Sequence, residues 1–434
     1  MIISKLMLQR GALNEVSRAF AETFPGKKPL VIEDTNTKKV AGDYVVKKFG
    51  GCDAHVFDGS EVYADDKHVD IVRDLLLKDN DYIAVAVGAG TINDLCKRAS
   101  YVAGERQYMC VATAPSVDGF TSNGASITDK GLKVTLSCPA PLLVIADPDI
   151  LSGAPMPMIA SGYGDLAAKV PAGADWFIAD ILGIEKIDRK VWEMVQPSLK
   201  EKLSSPKALK TREPSAIGAV FDGLIHTGFA MQEYFDSRPA SGYDHLQSHV
   251  WEMNDSCKVD GKAASHGFKV AIGTLSSTAC MEEILKLSKE DVKKQVLSYI
   301  PQTWEERQAS IRQAVKVPSV QDRQIEICSK KFLEGESLKK RQQEIIEKWD
   351  LIKEKIKDQI IPFDKLKKMF SEVDCPTEPV MIGLSKEDHI YGMRVAQMMR
   401  NRYTVCDLLY ETGLLDKFIS IVTDPASGYF SSWR

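Results

Sequence analysis

Short apolar runs alternate with helical periodicity through the first third of the chain. LVIED at 30–34 and YIAVAV at 82–87 are short, apolar and rich in β-branched residues, and VDIVRDLLLK between them repeats apolar positions at helical spacing. MCVATAP at 109–115 and LLVIADP at 142–148 continue the series. Apolar strands separated by helices are typical of a parallel sheet covered on both faces. We therefore predict an α/β dinucleotide-binding domain over residues 1–153.

The pattern changes from about Pro155 onward. Long amphipathic segments replace the short apolar runs, as in SAIGAVFDGLIHTGFAMQEYF (215–235) and SHGFKVAIGTLSSTACMEEILKL (265–287). These segments predict an all-α domain over residues 154–434, joined to the first domain at the proline-containing SGAPMPM (152–158). The densely charged stretch 329–358 predicts a surface helix with an apolar stripe on the core, and a partner-binding coiled coil is the alternative.

Composition narrows the class of protein. A length of 434 residues favours two domains, and a formal net charge of −4 argues against a nucleic-acid partner. No apolar run approaches the roughly 18–20 residues that span a bilayer, and the N-terminus lacks the features of a signal peptide. The nine cysteines show no pairing rhythm, which favours reduced thiols in a cytoplasmic protein.

VAVGAGTINDLCK is the first motif that carries chemistry. A strand ends at Val87, Gly88-Ala89-Gly90 forms a turn, and a helix begins at about Thr91. Glycines allow backbone N–H groups to approach a phosphate, and a helix N-terminus supplies partial positive charge. Asn93 stands where the full dinucleotide fingerprint has its third glycine, so a plain strand-to-helix turn remains an alternative.

Asp34 and the stretch 113–127 are further candidates for ligand binding. Asp34 ends the LVIED strand, where it can accept from a ribose hydroxyl or cap a helix, and the sequence does not separate the two. TAPSVDGFTSNGASI (113–127) is dense in small hydroxyl residues and glycine, with Asp118 as its one carboxylate. It contains no Lys, Arg or Glu, which favours a loop around a small polar ligand over an ordinary surface loop.

Three of the seven histidines lie between Ser241 and Gly267. His245 and His249 are four residues apart, so a helix would place them on one face, and His266 precedes another helical run. This spacing predicts that the imidazoles converge on a metal ion. A chance grouping of three histidines is the alternative. Asp165, in SGYGDLAAK, caps a helix or supplies the anionic ligand. An Asp/His/His set leaves a metal position open, as catalytic sites require.

In this order, GAGTIND, TAPSVDGFTSNGASI, SGYGDLAAK, SGYDHLQSH and SHG resemble the sn-glycerol-1-phosphate dehydrogenase family. That family lies within the larger group of metal-dependent polyol dehydrogenases, iron-type alcohol dehydrogenases and dehydroquinate synthases. MMRNRYTVCDLLYETGLL (398–415) resembles the longer bacterial type, and the likeness covers most of residues 25–415. The resemblance implies an active site in the cleft between an α/β domain and a helical domain, and a homodimer.

The resemblance also implies roles for individual residues. The dinucleotide-binding positions are Gly88, Ala89, Gly90, Thr91 and Asp94 at the pyrophosphate, and Thr113, Ala114, Pro115, Ser116 and Ser122 on the nicotinamide side. Asp165, His245 and His266 match the metal ligands. His249 then lies by the substrate rather than on the metal, which differs from the expectation from spacing alone.

The expected reaction is the interconversion of dihydroxyacetone phosphate and sn-glycerol 1-phosphate by hydride transfer. Asp118 matches a substrate contact, His249 could relay a proton, and Lys169 is a candidate for the substrate phosphate. Asp34 favours NAD(H), although Lys38 and Lys39 leave NADP(H) open. Two imidazoles and a carboxylate suit Zn²⁺, Ni²⁺ or Fe²⁺.

The sequence is compatible with three other functions. The first is a dehydrogenase for glycerol or another polyol on the same scaffold. The second is a lyase of the dehydroquinate synthase kind, a branch that carries Glu rather than Asp at the first ligand. The third is a non-catalytic interaction module.

Overall fold

The computed structural model describes residues 4–129, 132–316 and 318–433. The chain forms two compact units, each built from two segments: Met1–Leu166 with Glu193–Ser237, and Ala167–Trp192 with Arg238–Arg434. The chain thus leaves the first unit, returns to it and leaves it again. The sequence predicts a single division at 153/154, and that division stays a prediction.

The strands of the first unit account for its α/β character. Strands along the described chain are β1 (Lys5–Leu8), β2 (Lys28–Asp34), β3 (Asp53–Phe57), β4 (Tyr82–Gly88), β5 (Tyr108–Ala112), β6 (Ala125–Asp129), β7 (Leu132–Leu136), β8 (Leu143–Ala146), β9 (Lys258–Val259) and β10 (Lys262–Ala263). Within the described residues, six of them form one sheet in the order β1-β8-β5-β4-β2-β3, and all its neighbouring strands are parallel. The predicted fold class is confirmed.

The α-helices of the chain's first half mostly belong to the first unit. They are α1 (Val16–Thr23), α2 (Thr35–Thr37), α3 (Asp43–Lys48), α4 (Asp66–Leu76), α5 (Gly90–Val102), α6 (Pro148–Leu151), α7 (Met156–Ala167), α8 (Lys169–Ile181), α9 (Arg189–Val195), α10 (Leu199–Lys202), α11 (Pro206–Lys210) and α12 (Pro214–Tyr234). Of these, α8 belongs to the second unit, and α9 is divided between the two units after Trp192.

The rest of the second unit is helical apart from the β9–β10 hairpin, as far as its residues are described. Its helices are α13 (Tyr243–Met253), α14 (His266–Lys286), α15 (Lys289–Ser298), α16 (Trp304–Ala314), α17 (Pro318–Ser329), α18 (Gly335–Glu347), α19 (Trp349–Gln359), α20 (Phe363–Glu372), α21 (Lys386–Val395), α22 (Val405–Glu411) and α23 (Leu415–Val422). Shorter 3₁₀ or π-helical turns lie at Ala12–Glu15, Lys38–Gly42, Asp118–Thr121, Pro379–Ile382, Ala396–Met398 and Pro425–Ser427.

The core of the sheet explains why the four apolar runs were recognisable as strands. Val85, Val111 and Ile145, from the three adjacent strands β4, β5 and β8, are completely buried and pack in one cluster with Phe20 and Phe24. Each such aliphatic side chain contributes about 1.5–3 kcal/mol when it leaves water. Continuous burial along a central strand requires continuous apolar sequence, which is the pattern read from the chain.

Two strands of the sheet and the β6–β7 hairpin were not predicted. β1 and β3 are the edges of the sheet, and most of their residues are partly or fully exposed. An edge strand needs no uninterrupted apolar run, so KLML and DAHVF carry no strong signal. β6 and β7 pair antiparallel with each other and lie outside the main sheet.

The charged stretch 329–358 forms two helices rather than one, α18 and α19, with Lys348 between them. Leu338, Ile345, Ile352 and Ile356 are buried, so the predicted apolar stripe on the core is confirmed. All nine cysteines are free thiols, as predicted. Across the described residues, no helix combines the length and the apolar character needed to cross a membrane.

Candidate functional site

The glycine turn and the uncharged loop meet at one edge of the sheet. Gly88, the last residue of β4, is paired in register with Ala112, the last residue of β5. Because the two strands are parallel, the segments that follow them emerge on the same side. The N–H of Thr113 donates to the carbonyl of Gly88 at 3.1 Å. The predicted dinucleotide-binding segments 88–91 and 113–116 are therefore neighbours.

The strand order reverses next to this edge. β2 is followed in the chain by β3 on one side, whereas β4 is followed by β5 on the other side. In open α/β sheets, ligands bind beyond the carboxyl ends of the strands at such a switch point. Asp34 and the turn at Gly88 lie at the carboxyl ends of these two strands.

Asp34 caps the helical segment that follows β2. Its carboxylate accepts from the N–H groups of Asn36 and Thr37 at 2.7 and 2.9 Å, and the Thr37 hydroxyl accepts from the Asp34 N–H. The cap that the sequence left open as an alternative is therefore present. Binding of a ribose hydroxyl by Asp34 stays a prediction.

The N-terminus of α5 can bind an anion. Ala89 precedes the helix in an extended conformation, and no side-chain hydrogen bond comes from this capping position. Thr91 is exposed. The first N–H groups of a helix lack intrahelical partners and carry the positive end of its dipole. The 13-residue helix thus directs polar N–H groups and partial positive charge to the turn at 88–91.

The loop after β5 is held by buried polar residues of α5 that the sequence analysis missed. Lys97 is buried, and its ammonium donates to the carbonyls of Gly119, Ser122 and Gly124 at 2.7, 3.1 and 3.0 Å. Asn93, also buried, donates to the Phe120 carbonyl at 3.4 Å. The loop contains no Lys or Arg, so its carbonyls need hydrogen-bond donors from other segments. This need is the sequence signal that could have identified Lys97.

Asp94 and Ser122 also take part in holding this loop. Asp94 accepts from the N–H of Ser126 at 3.2 Å and lies 3.7 Å from the Lys97 ammonium. The Ser122 hydroxyl donates to the carbonyl of Gly119 at 3.1 Å. The predicted contacts of Asp94 and Ser122 with a dinucleotide stay predictions.

Asp165 lies on α7 against the same loop. It is completely buried, and its Oδ2 accepts from the backbone N–H of Asp118 at 2.9 Å. The packing of α7 depends on Gly162, since a Cβ there would lie 1.7 Å from the carbonyl oxygen of Pro115. The hydroxyl of Ser161 donates to the carbonyl of Ser116 at 3.3 Å. Small residues one turn before Asp165 therefore bring the helix backbone onto the loop.

The three histidines come together on α13 and α14. The ring centre of His245 lies 6.4 Å from that of His249 and 5.5 Å from that of His266, and the last two are 6.1 Å apart. His266 is the first residue of α14, whose N-cap Ser265 accepts from the Phe268 N–H at 3.3 Å. The convergence expected from the sequence is present.

One group among the described residues has the composition and closeness of a metal site. Asp165, His245 and His266 each offer a ligand atom, and these atoms lie within 4.8 Å of one another. His249 is not part of this group. An anionic oxygen with two imidazole nitrogens suits a divalent ion of the Zn²⁺, Ni²⁺ or Fe²⁺ type, so the donors present fit the metal that the sequence predicts.

Carboxylates contact the histidine rings from α13 itself. Asp244 hydrogen-bonds Nδ1 of His245. Glu252 lies 3.5 Å from Nδ1 of His249 and 3.5 Å from Nδ1 of His266, and 2.6 Å from the ammonium of Lys269. Burial alone would raise the pKa of Glu252, but the hydrogen bonds to both imidazoles and the charges of His266 and Lys269 hold it well below its usual range.

His249 is neutral near pH 7. Desolvation by the surrounding protein lowers its pKa to about 4, against the opposing effect of its contact with Glu252. The side chain still keeps 35% of its surface exposed, so it can reach a ligand. A neutral imidazole with Nδ1 at a carboxylate presents Nε2 as an acceptor.

A buried carboxylate fixes the start of α13. Asp175 accepts from the N–H groups of Tyr243 and Val405 at 2.8 and 2.7 Å. Gly242 allows this approach, since a Cβ there would lie 2.4 Å from Oδ2 of Asp175. Burial raises the pKa of Asp175 to about 7, although both N–H groups and Arg238 oppose the shift. Sequence analysis did not identify Asp175.

Lys169, predicted to bind the substrate phosphate, is completely buried at the first residue of α8. Asp118 is partly buried in the 3₁₀ turn of the loop. The catalytic and substrate-binding roles of Lys169, Asp118 and His249 stay predictions.

Comparisons with known proteins give a consistent result. A family model described as iron-containing alcohol dehydrogenase matches residues 7–155. The glycerol-1-phosphate dehydrogenase [NAD(P)+] of Geobacillus thermodenitrificans (strain NG80-2) is 33% identical over 280 residues, which cover 63% of this chain and 68% of the relative. The protein of that name from Pyrococcus horikoshii is 30% identical over 274 residues, covering 62% of this chain and 76% of the relative. For the Halalkalibacterium halodurans relative, which bears the same name, the match covers 63% of its length.

Solved structures show the same fold at low sequence identity. A glycerol dehydrogenase from Schizosaccharomyces pombe superposes with a TM-score of 0.60 at 15% identity, covering 100% of this chain and 93% of the other. A maleylacetate reductase from Agrobacterium tumefaciens gives a TM-score of 0.60 at 13% identity, covering 100% of this chain and 98% of the other. These two likenesses concern the fold alone.

Proposed function

Because the chain belongs to the glycerol-1-phosphate dehydrogenase [NAD(P)+] family of metal-dependent dehydrogenases, we propose that it interconverts dihydroxyacetone phosphate and sn-glycerol 1-phosphate. The observation that carries the proposal is the group formed by Asp165, His245 and His266. It combines one carboxylate with two imidazoles, and three protein ligands leave room for a substrate oxygen.

The dinucleotide would bind at the carboxyl edge of the sheet. The N–H groups at the start of α5 and the turn Gly88-Ala89-Gly90 would bind its pyrophosphate, with Thr91 beside them. The segment Thr113–Ser116 and Ser122 would contact the nicotinamide side, and Asp34 the ribose, with NAD(H) preferred over NADP(H). When bound, the nicotinamide supplies or accepts the hydride.

Asp165, His245 and His266 would hold one divalent ion, Zn²⁺, Ni²⁺ or Fe²⁺. When bound, such an ion supplies Lewis-acid polarisation of the C2 oxygen. The chain's own contribution is to keep these ligands in place. Asp165 is oriented by the backbone N–H of Asp118 at 2.9 Å, and the imidazoles are oriented by carboxylates at Nδ1.

His249 would hold the proton that is exchanged at the C2 hydroxyl. It is neutral near pH 7, its Nδ1 is directed to Glu252, and its side chain is partly exposed. It can therefore accept a proton at Nε2 and pass it to solvent. Asp118 would bind the terminal hydroxyl of the substrate, and Lys169 would neutralise its phosphate.

The phosphate requirement is the point at which this proposal differs from a polyol dehydrogenase on the same fold. We expect the metal-loaded protein to oxidise NADH with dihydroxyacetone phosphate, and much more slowly with dihydroxyacetone. The product should be the sn-1 enantiomer, which enzymatic analysis with an sn-3-specific dehydrogenase would leave unreacted. Equal rates with both ketones would favour a polyol dehydrogenase.

A lyase of the dehydroquinate synthase kind would recycle its NAD, so its turnover would leave NADH absorbance unchanged. The carboxylate ligand here is Asp165 rather than the Glu of that branch, which supports a net oxidoreductase. We also propose a homodimer. Light scattering after gel filtration should then give twice the monomer mass of 48.1 kDa.

A further inference from the structure

The faces of α13 and α14 that carry the histidines also carry an ion pair with no assigned role. His245, His249 and Glu252 are spaced four and three residues apart, so they share one face of α13. On α14, His266 and Lys269 are three residues apart on one face. Glu252 and Lys269 join the two faces, with the ammonium 2.6 Å from Oε1 of the carboxylate.

The two oxygens of Glu252 are directed at two different imidazoles. Oε1 lies 3.5 Å from Nδ1 of His266, and Oε2 lies 3.5 Å from Nδ1 of His249. A carboxylate accepts hydrogen bonds but donates none when ionised, so it selects the tautomer with the proton on Nδ1 in each ring. Both rings then present Nε2 on the side away from Glu252.

Asp244 stands in the same relation to the remaining ring. It is completely buried and hydrogen-bonds Nδ1 of His245, which leaves Nε2 of that ring for another partner. Histidines that bind metals commonly donate their other N–H to a carboxylate, which fixes the ring and strengthens it as a ligand. Each of the two proposed histidine ligands therefore has a carboxylate at Nδ1.

We propose that Glu252 is a positioning residue that sets the tautomer and orientation of His266 and His249 together. One carboxylate thereby prepares a metal ligand and the proton-carrying imidazole, while Lys269 holds the carboxylate in place. This inference rests on the proposed function for the metal and proton roles of the two histidines. A purely structural ion pair with Lys269 would use one oxygen of Glu252 and would have no influence on metal binding.

Replacement of Glu252 by glutamine separates these accounts. An amide of the same size keeps one acceptor oxygen, but its NH₂ group donates and cannot accept from an imidazole N–H. We expect Glu252→Gln to bind Zn²⁺ about 10–100-fold more weakly than the wild type, measured by competition with a chromophoric chelator. We also expect a lower kcat for dihydroxyacetone phosphate at saturating metal, with the KM for NADH unchanged.

The matched control is Glu283→Gln. Glu283 is a buried carboxylate on α14 that accepts from Tyr429 at 2.7 Å and from Lys286 at 2.5 Å, away from the histidines. Its amide variant should lose stability but bind Zn²⁺ as the wild type does. If Glu252→Gln fails to fold, Glu252→Asp serves instead, because it keeps the charge opposite Lys269 but draws the oxygens away from both rings. It should also bind Zn²⁺ more weakly than the wild type.

Unchanged Zn²⁺ affinity in the Glu252→Gln or Glu252→Asp protein would overturn the positioning role. The affinity measurement needs no substrate, so it is independent of the reaction. A wild type that binds Zn²⁺ tightly but does not reduce dihydroxyacetone phosphate would refute the proposed reaction alone. A wild type that binds no Zn²⁺, Ni²⁺ or Fe²⁺ would refute both.

Discussion

At the scale of single residues, the candidate metal site depends on a buried carboxylate. Asp165 is completely buried, and its Oδ2 accepts from the backbone N–H of Asp118. Removing a carboxylate from water costs several kcal/mol unless hydrogen bonds or a cation compensate. A divalent ion beside Asp165 would supply such compensation, which agrees with the two imidazoles found next to it.

Replacement of Asp165 by asparagine should remove metal binding while keeping the fold. The amide oxygen can still accept from the Asp118 N–H, but it carries no charge for an ion. Loss of a residue that only hydrogen-bonds a metal ligand lowers metal affinity or activity about 10–100-fold. For loss of the ligand itself we expect a decrease on the order of 100-fold or more in Zn²⁺ affinity and in kcat/KM. Plasma emission spectroscopy would measure the bound Zn²⁺, and NADH oxidation would measure kcat/KM.

Asp222→Asn, on α12 of the same unit, is the control for this substitution, because Asp222 pairs with Lys202 and His226 instead. It should retain metal and activity. If Asp165→Asn keeps a full equivalent of bound Zn²⁺, Asp165 is not a ligand.

Glu33 predicts a dependence of stability on pH. It is completely buried on β2, and burial raises its pKa from the ordinary 4.5 to about 7, with Lys38 opposing the shift. Because the folded state binds this proton more tightly than the unfolded state, the stability of the wild type falls as pH rises from 4.5 through 7. The amide of Glu33→Gln does not titrate, so the stability of this variant lacks this dependence on pH.

Urea unfolding at pH 5 and at pH 8 would measure the effect. From pH 5 to pH 8, the free energy of unfolding of Glu33→Gln should rise by up to about 3 kcal/mol relative to that of the wild type. This difference corresponds to a pKa change of about 2.5 in Glu33. A difference between the two proteins that stays constant with pH would show that Glu33 titrates normally in the fold.

At the residue scale, the sequence predicts which residues share a face of a helix. It does not predict which distant residues they contact. His245 and His249 share a face of one helix, so their proximity follows from spacing. Asp165 is eighty positions upstream, and the sequence left a helix cap as the alternative to a place beside the histidines. Glu252 is seven residues after His245 on the same face, yet nothing in the sequence distinguishes it from a solvated glutamate.

At the scale of elements, the loop after β5 depends on α5 and α7. Lys97 provides three hydrogen bonds to its carbonyls, and Gly162 admits the α7 backbone to within reach of Pro115. The sequence pattern of the two helices does not distinguish Lys97 or Gly162 as a residue that supports the loop. The composition of the loop predicts a ligand site, whereas the residues that support the loop are recognised only in the fold.

Lys97→Met should loosen this loop. The methionine fills similar volume but leaves buried carbonyls without a donor, at about 1–3 kcal/mol for each that water cannot reach. We expect a lower midpoint of thermal unfolding and a higher KM for NADH. Arg98→Met, next along the helix, removes a cation whose guanidinium contacts the Ser137 carbonyl at 3.5 Å and the Tyr101 ring at 5.6 Å, and it should change neither quantity. An unchanged KM in Lys97→Met would mean that the loop does not contact the dinucleotide.

Gly162→Ala tests the close packing of α7. The new Cβ would lie 1.7 Å from the Pro115 carbonyl oxygen, so the helix or the loop must shift, at about 1–3 kcal/mol. Thermal unfolding should show the loss. Gly218→Ala on α12 is the matched control, because its Cβ would meet Pro148 at an ordinary 3.4 Å, and alanine favours a helix by about 1 kcal/mol over glycine. Equal stability of the two variants would contradict the packing described for α7.

At the scale of the whole molecule, the sequence predicts the change from an α/β half to a helical half, and its single division at 153/154 stays a prediction. Buried central strands require apolar runs, and helices packed on a core require apolar stripes, so both leave a periodic record in the sequence. A segment such as 193–237 returns to the first unit through contacts made by distant residues. Such contacts leave no periodic record, and a single cut near the prolines at 155 and 157 was the most that the sequence indicated.

We propose that this chain transfers hydride only with a divalent ion at Asp165, His245 and His266. The most direct measurement is NADH oxidation with dihydroxyacetone phosphate by protein stripped with a chelator, before and after addition of Zn²⁺, Ni²⁺ or Fe²⁺. We expect no turnover by the stripped protein and recovery with at least one ion at one equivalent per chain. Full activity of the stripped protein, or no activity with any of the three ions, would contradict it.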